Sequence, residues 1–319
     1  MVFSDFFSAL CGRRHFRTNF SRRAEWWTDL WLNEGFARFC EFLAVDHIFP
    51  ELDAWTTFDL DVVGTALRLD ALKSSHAIRV DVGHPDEINE IFDAVSYAKG
   101  ATVLRMLTHF LGGLEPFVTG VRLYLKEFRW KNAVSDDLWR ALERGANQPE
   151  GFIVDLMRAW TTQVGYPVVY VRTDPATRAV SLSQERYLTV AAESQSPGVK
   201  WTVPATVYSS QTDLPEFFAV TPDVESASLK QLVGKLSELE KQEGWFVLNG
   251  KGDLFRVCYT EDQWRRIAQE ACALVRVPNR TRLSLVRDVF DLAESGHLPV
   301  NVSLEFALTL LQPLSLIHI

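Results

Sequence analysis

The segment Glu25-Trp-Trp-Thr-Asp-Leu-Trp-Leu-Asn-Glu-Gly-Phe-Ala37 decides the reading of this chain. Trp26, Trp27 and Trp31 crowd into six residues, and a lone carboxylate, Glu34, follows in an otherwise apolar run. A carboxylate near apolar walls is costly unless it is paired, protonated or bound to a metal. Two readings stay open from these residues alone. Glu34 is a metal ligand, or it sits near a helix N-terminus and is held by backbone N–H groups.

Outward from this segment the period is helical. Phe36, Phe39, Cys40, Leu43, Ala44 and His47 recur at three and four, and Pro50 ends the run. Leu60, Val63, Leu67 and Leu72 continue the period over 55–72, and Val95, Ala98, Ala101, Val103, Leu104, Leu107 and Leu111 carry it over 94–111. Segments 117–128, 135–143 and 152–163 add three more helices. Ser135 reads as an N-cap, with Asp136 and Asp137 in the first turn. Lys99 and Arg105 lie on the 94–111 helix, with Lys99 expected to face solvent.

Gly165-Tyr-Pro breaks the series, and the period then changes to two. Val168–Arg172, Ala179–Ser183, Trp201–Tyr208, Trp245–Leu248 and Leu254–Tyr259 read as strands. Asn249-Gly-Lys-Gly between the last two suggests a hairpin. Together they predict a small β-sandwich over 167–260. Ser226–Lys241, rich in Lys, Glu and Leu, is expected as a loop or a short helix. Helical periods return at 264–275, 280–294 and 302–311.

The 319 residues allow two or three domains. Hydrophobic content of 47% with 23% charged residues suits a globular protein. A net charge of −8 argues against a nucleic-acid partner and against an anionic membrane surface. No window holds eighteen apolar residues, so no membrane span is expected. Cys11, Cys40, Cys258 and Cys272 are scattered without a C-x-x-C pair and read as reduced thiols.

The Trp-Leu-Asn-Glu-Gly-Phe-Ala segment resembles the third-ligand segment of the zinc-dependent (gluzincin) aminopeptidases, the branch that includes puromycin-sensitive aminopeptidase above all. Val82-Gly-His-Pro, Asp93-Ala-Val-Ser-Tyr-Ala-Lys-Gly-Ala, Trp160 ahead of Gly165-Tyr-Pro, and Asp253-Leu-Phe-Arg-Val-Cys-Tyr extend the resemblance over about 25–311. It implies a multidomain α+β fold: a mostly helical, thermolysin-like catalytic part (25–166), the β-sandwich (167–260), and the first helices of a C-terminal α-solenoid (261–312). A solenoid cut there would expose an apolar face and lower solubility. Residues 1–24 and 313–319 do not resemble the family and are expected to be foreign to it.

The resemblance also implies the site. Glu34 would be a ligand of one zinc ion, with Asn33 supporting it, and Tyr97 would donate its hydroxyl to a developing oxyanion. For Tyr97 the alternative is a core tyrosine with its hydroxyl at the rim. The family's other two ligands are the histidines of an H-E-x-x-H helix, which ends eighteen residues before the glutamate. His15 stands at the second position, Cys11 at the first, and Gly12 replaces the general base. Neither H-E-x-x-H nor the amine-binding G-x-M-E-N occurs. His15, with Cys11 as a thiolate ligand, is the remaining candidate set. His47, His76, His84 and His109 fall outside this spacing. The implied activity is release of N-terminal residues from peptides in the cytoplasm, in a chain whose own catalytic apparatus is incomplete. The alternative is a non-catalytic remnant that acts by protein interaction.

Overall fold

The computed structural model describes residues 29–80, 94–129, 131–190 and 200–315. They form two compact units. One takes the chain up to Asp70 together with Ser74–Val164; the other takes Ala71–Lys73 and the chain from Gly165. No described helix is long and apolar enough to cross a membrane.

The described part of the first unit is helical: α1 (Leu30–Ile48), α2 (Ala54–Thr57), a π-helical turn (Phe58–Val63), α3 (Gly64–Asp70), α4 (Ala94–Phe110), α5 (Leu114–Glu127), α6 (Ser135–Gly145) and α7 (Phe152–Thr162). The period read in the sequence is visible in α1, which buries Trp31, Phe36, Phe39, Phe42 and Leu43. Phe49 follows it and Pro50 opens a short 3₁₀ turn. Helix α4 buries residues around most of its circumference, as a central helix must.

Between α2 and α3 the sequence period fails. The π-helical turn places one more residue per turn than the α-helix, which shifts the phase. Val63 and Leu67 are buried, but Leu60 is 54% exposed and Leu72 also meets solvent. Phe58 instead enters an aromatic cluster with Phe42 and Trp55.

Ser135 is not the N-cap of α6; Val134 is. Its backbone N–H donates to Asp137, while the Ser135 N–H and hydroxyl donate to the two oxygens of Asp29 at 2.9 and 2.6 Å. The acid three residues in meets the backbone N–H of the N-cap residue itself, one half of a capping box. Buried Glu143 does the same for α7, accepting from the backbone N–H groups of Gly151, Ile153 and Val154.

The second unit holds β1 (Pro167–Thr173), β2 (Val180–Arg186), β3 (Val203–Ser209), β4 (Thr212–Val220), α8 (Ala227–Lys241), β5 (Phe246–Val247), β6 (Arg256–Cys258), α9 (Glu261–Arg266), a second π-helical turn (Ile267–Cys272), α10 (Asn279–Glu294) and α11 (Val300–Ser315). Its strands form two three-stranded sheets, ordered β2-β1-β6 and β4-β3-β5. β1 and β2 are antiparallel with Val169 opposite Gln184, and β3 and β4 pair Ala205 with Phe218.

The hairpin expected at Asn249-Gly-Lys-Gly does not form. β5 pairs with β3, while β6 runs parallel to β1 in the other sheet. The loop between them is a crossover held by Asn249, whose amide donates to the Asp253 and Phe255 carbonyls and accepts from the Asp253 N–H. Residues 227–241 form a helix of 15 residues, α8, longer than the short helix expected over 226–241; its apolar face buries Leu229, Leu232, Leu236 and Leu239. Arg256 on β6 ties the sheet to α10 through Asp288 and Asp291 and lies over the Tyr187 ring at 4.8 Å.

Candidate functional site

Glu34 lies in the second turn of α1, past the free N–H groups of the helix start. Tyr97 on α4 lines the same groove as Glu34. Burial first, then the neighbouring Glu34 carboxylate, holds the Tyr97 phenol above the ordinary tyrosine range. Two residues 63 positions apart in the sequence are thus brought to one groove.

Both residues line an open groove of about 450 Å³. Glu34, Ala37, Arg38 and Glu41 form its α1 wall, Tyr97 and Ala98 its α4 wall, and Asp61, Val62 and Thr65 its third side. That third side is presented by the π-helical turn and the start of α3. Arg38 and Glu41 pair at 2.7 Å. Asn33 is half-buried on α1 and is not among the residues lining the groove.

The described histidines stay away from the groove. His47 is exposed at the end of α1, His76 bonds the Ala77 carbonyl at 2.8 Å, and His109 lies in the last turn of α4. His15, Cys11, Trp26, Trp27 and His84 lie outside the described residues.

Among the described residues no three His, Cys, Asp or Glu side chains come together to hold a metal ion. Zinc in a catalytic site takes three protein ligands and a water. Of the carboxylates along the groove, Glu41 is engaged by Arg38. Asp61 lies on the opposite wall from Glu34. The described donor set does not fit a zinc centre on its own.

Sequence reasoning placed Lys99 at the surface. It is fully buried, its Nζ 2.8 Å from Asp70 Oδ2 and 3.2 Å from the Gln163 carbonyl oxygen. Arg105, two turns along α4, is buried against Asp59 of the π-helical turn and lies over the Phe58 ring. The available signal was two cations set into an almost wholly apolar helix, since a charge there demands a partner.

Residues 23–160 match the Peptidase family M1 domain. The chain is 39% identical over 274 residues to Aminopeptidase M1-A of Oryza sativa subsp. japonica, a match that takes in 85% of this chain and 30% of that protein. It is 34% identical over 282 residues to Puromycin-sensitive aminopeptidase of Caenorhabditis elegans, covering 86% of this chain and 28% of that one. Against Tricorn protease-interacting factor F2 of Thermoplasma volcanium it is 34% identical over 286 residues, covering 88% and 32%. The chain therefore spans about three-tenths of the length of these relatives. With the motif glutamate and the motif tyrosine on one groove, and matches of this kind over most of its own length, the chain belongs to the zinc-dependent (gluzincin) aminopeptidase family, peptidase family M1.

Proposed function

We propose that this chain carries the groove-forming part of a metallo-aminopeptidase site, in which Glu34 is a metal-ligand position and Tyr97 the donor to an oxyanion formed at a peptide carbonyl. The observation that carries this reading is that Glu34 and Tyr97, from two helices, line one open groove. The substrate class is a peptide with a free amino end, handled in the cytosol. A placed donor of the Tyr97 kind contributes about 10²–10³ in rate. The chain by itself is catalytically incomplete. Gly12 stands where the family pattern has its general base, whose loss removes about 10²–10⁴. The domain reading goes with this: a catalytic part over 25–166, a β-sandwich over 167–260, and the first solenoid helices over 261–312.

A second reading, a non-catalytic remnant acting through protein contacts, is favoured by the donor set, in which no three ligating side chains come together among the described residues. Elemental analysis of purified protein separates the two. Stoichiometric zinc that disappears in Glu34→Ala supports a metal centre completed by His15 and Cys11. Absence of zinc from both proteins, together with no release of a fluorogenic amine from an aminoacyl amide, leaves the second reading.

A further inference from the structure

Asn249-Gly250 is the one place in the sequence where glycine follows asparagine. Asparagine is a thermolabile residue, and a following glycine makes it most so: without a Cβ, the glycine leaves its backbone nitrogen free to reach the asparagine side chain. The fold nevertheless requires glycine here. Gly250 is not at positive φ, so contact imposes it rather than backbone conformation. A Cβ at this position would lie 2.3 Å from Tyr208 Cδ2 and 2.9 Å from the Thr206 carbonyl oxygen, and Tyr208 is buried.

The same packing keeps the two reacting groups occupied. The Gly250 N–H, the nucleophile of such a reaction, donates to the Thr206 carbonyl at 2.8 Å. The Gly250 carbonyl accepts from the Thr281 hydroxyl at 2.6 Å. Asn249 is buried, and both ends of its amide are engaged. Nδ2 donates to the Asp253 and Phe255 carbonyls at 3.0 and 2.7 Å, and Oδ1 accepts from the Asp253 N–H at 2.7 Å. The side chain cannot turn its Cγ onto the Gly250 nitrogen without breaking these bonds.

We propose that Asn249-Gly250 is a deamidation site gated by folding: closed in the packed second unit, and converted to aspartate or isoaspartate when the loop opens. In the open loop the Gly250 nitrogen loses its proton to water and bonds to Asn249 Cγ. The Cγ–Nδ2 bond breaks and ammonia leaves. Water then opens the cyclic imide at one carbonyl or the other, giving aspartate or isoaspartate. The net change exchanges an amide and a water for a carboxylate and an ammonium ion. An ionised aspartate only accepts hydrogen bonds, so at 249 it faces the Asp253 and Phe255 carbonyls with no proton to offer, as a buried charge. Isoaspartate adds a carbon to the backbone at a residue that bridges to Thr206. Either product bars the loop from its native bonds, and a transient opening becomes a permanent loss.

The test follows the full chain at mildly alkaline pH, in buffer and in guanidinium chloride, by peptide mapping with mass spectrometry. Circular dichroism confirms that the chain in buffer is folded. In denaturant Asn249 converts ahead of Asn132, Asn147, Asn279 and Asn301. In buffer its conversion is slower by about 10³-fold or more, because a folded domain is open for a fraction of order 10⁻³ or less of the time. Gly250→Ala, compared in denaturant so that its folding does not matter, slows Asn249 to the rate of the other asparagines. Asn249→Asp, made directly, unfolds at lower denaturant than wild type or does not fold. Conversion of a folded wild-type chain in buffer at the denatured rate overturns the gate. An Asn249 no faster than the other asparagines in denaturant overturns the site. An Asn249→Asp as stable as wild type overturns the permanence of the loss.

Discussion

Lys99 Nζ lies 2.8 Å from Asp70 Oδ2, and neither side chain reaches water. The pair joins α4, two residues past Tyr97, to the end of α3. Arg105 and Asp59 make a second buried bridge further along the same helix. The order of the partners is reversed along the two segments, so α4 runs antiparallel to the interrupted helix whose π-helical turn lines the groove.

Breaking such a bridge on one side leaves a buried charge without compensation and costs about 3–5 kcal/mol. Lys99→Met and Asp70→Asn are each expected to destabilise the chain by roughly that much. The double replacement is expected to recover most of the loss, because it removes both desolvation penalties. Denaturant unfolding of the four proteins measures the coupling. Additive single effects would mean that the two charges do not depend on each other.

These bridges also mark where the sequence stopped being legible. The helices of the first unit announced themselves through apolar spacing, which is a local property of residues such as Val95, Ala98 and Leu104. The groove was reached through two motifs, one around Glu34 and one around Tyr97, because their residue order is itself the signal. Nothing local says that Asp70 and Lys99 meet, since the pairing depends on the path of the chain between them. The π-helical turn at Phe58–Val63 escaped for a related reason: the aromatic cluster and Arg105 hold a backbone that the three-and-four spacing does not describe. At Asn249 the turn residues suggested a hairpin, which does not form: the Asn249 side chain holds the loop while the strand after it enters another sheet rather than running back along the same one.

His297 gives the second unit a pH dependence. Its side chain is buried, its Nδ1 lies 2.6 Å from the Tyr170 hydroxyl oxygen, and its ring stacks on Tyr187 at 5.4 Å. Tyr170 in turn donates to Glu185. Burial lowers the imidazole pKa and nearby Arg256 lowers it further, against the opposing pull of Glu185 and the Leu188 backbone. The folded value thus lies below the unfolded value of about 6.5, so the unfolded chain binds more protons between the two. Stability from this group is complete above the unfolded value and falls as pH drops through it towards the folded one. Urea unfolding from about pH 7.5 to about pH 5.5 spans the start of that window. Wild type is expected to lose more stability over it than His297→Gln. Equal losses would remove His297 as the cause.

The thiols separate by burial. Cys272 is pushed up to about 12 by burial, and Cys258 is raised by the same cause. The thiolate is the reactive form, so neither side chain is expected to react with a disulfide reagent at neutral pH while the chain is folded. Cys40, half-buried on α1, is expected to react first of these three. Mapping the labelled positions by mass spectrometry before and after denaturation checks this. Labelling of Cys272 in the native protein at the rate of Cys40 would show that the second unit opens far more readily than its packing indicates.

Helix α11 presents two unlike faces. Val302 and Phe306 are buried, Phe306 edge-on to Trp264 at 5.4 Å. Val300, Leu304, Leu308 and Leu311 are 59%, 54%, 62% and 56% exposed, and their spacing of four, four and three sets them along one stripe. A contiguous apolar stripe on a surface is a liability for self-association. Light scattering on the eluting protein is therefore expected to show mass rising with concentration, and Leu304→Lys with Leu308→Glu to suppress the rise. Both replacements are at helical positions already in water and use residues with good helix propensity, so unfolding should move by only about 0.5 kcal/mol. A wild-type chain that stays monodisperse across the concentration range would mean that the stripe is too narrow, or too well flanked by Glu305 and its bridge to Arg265, to hold two copies together.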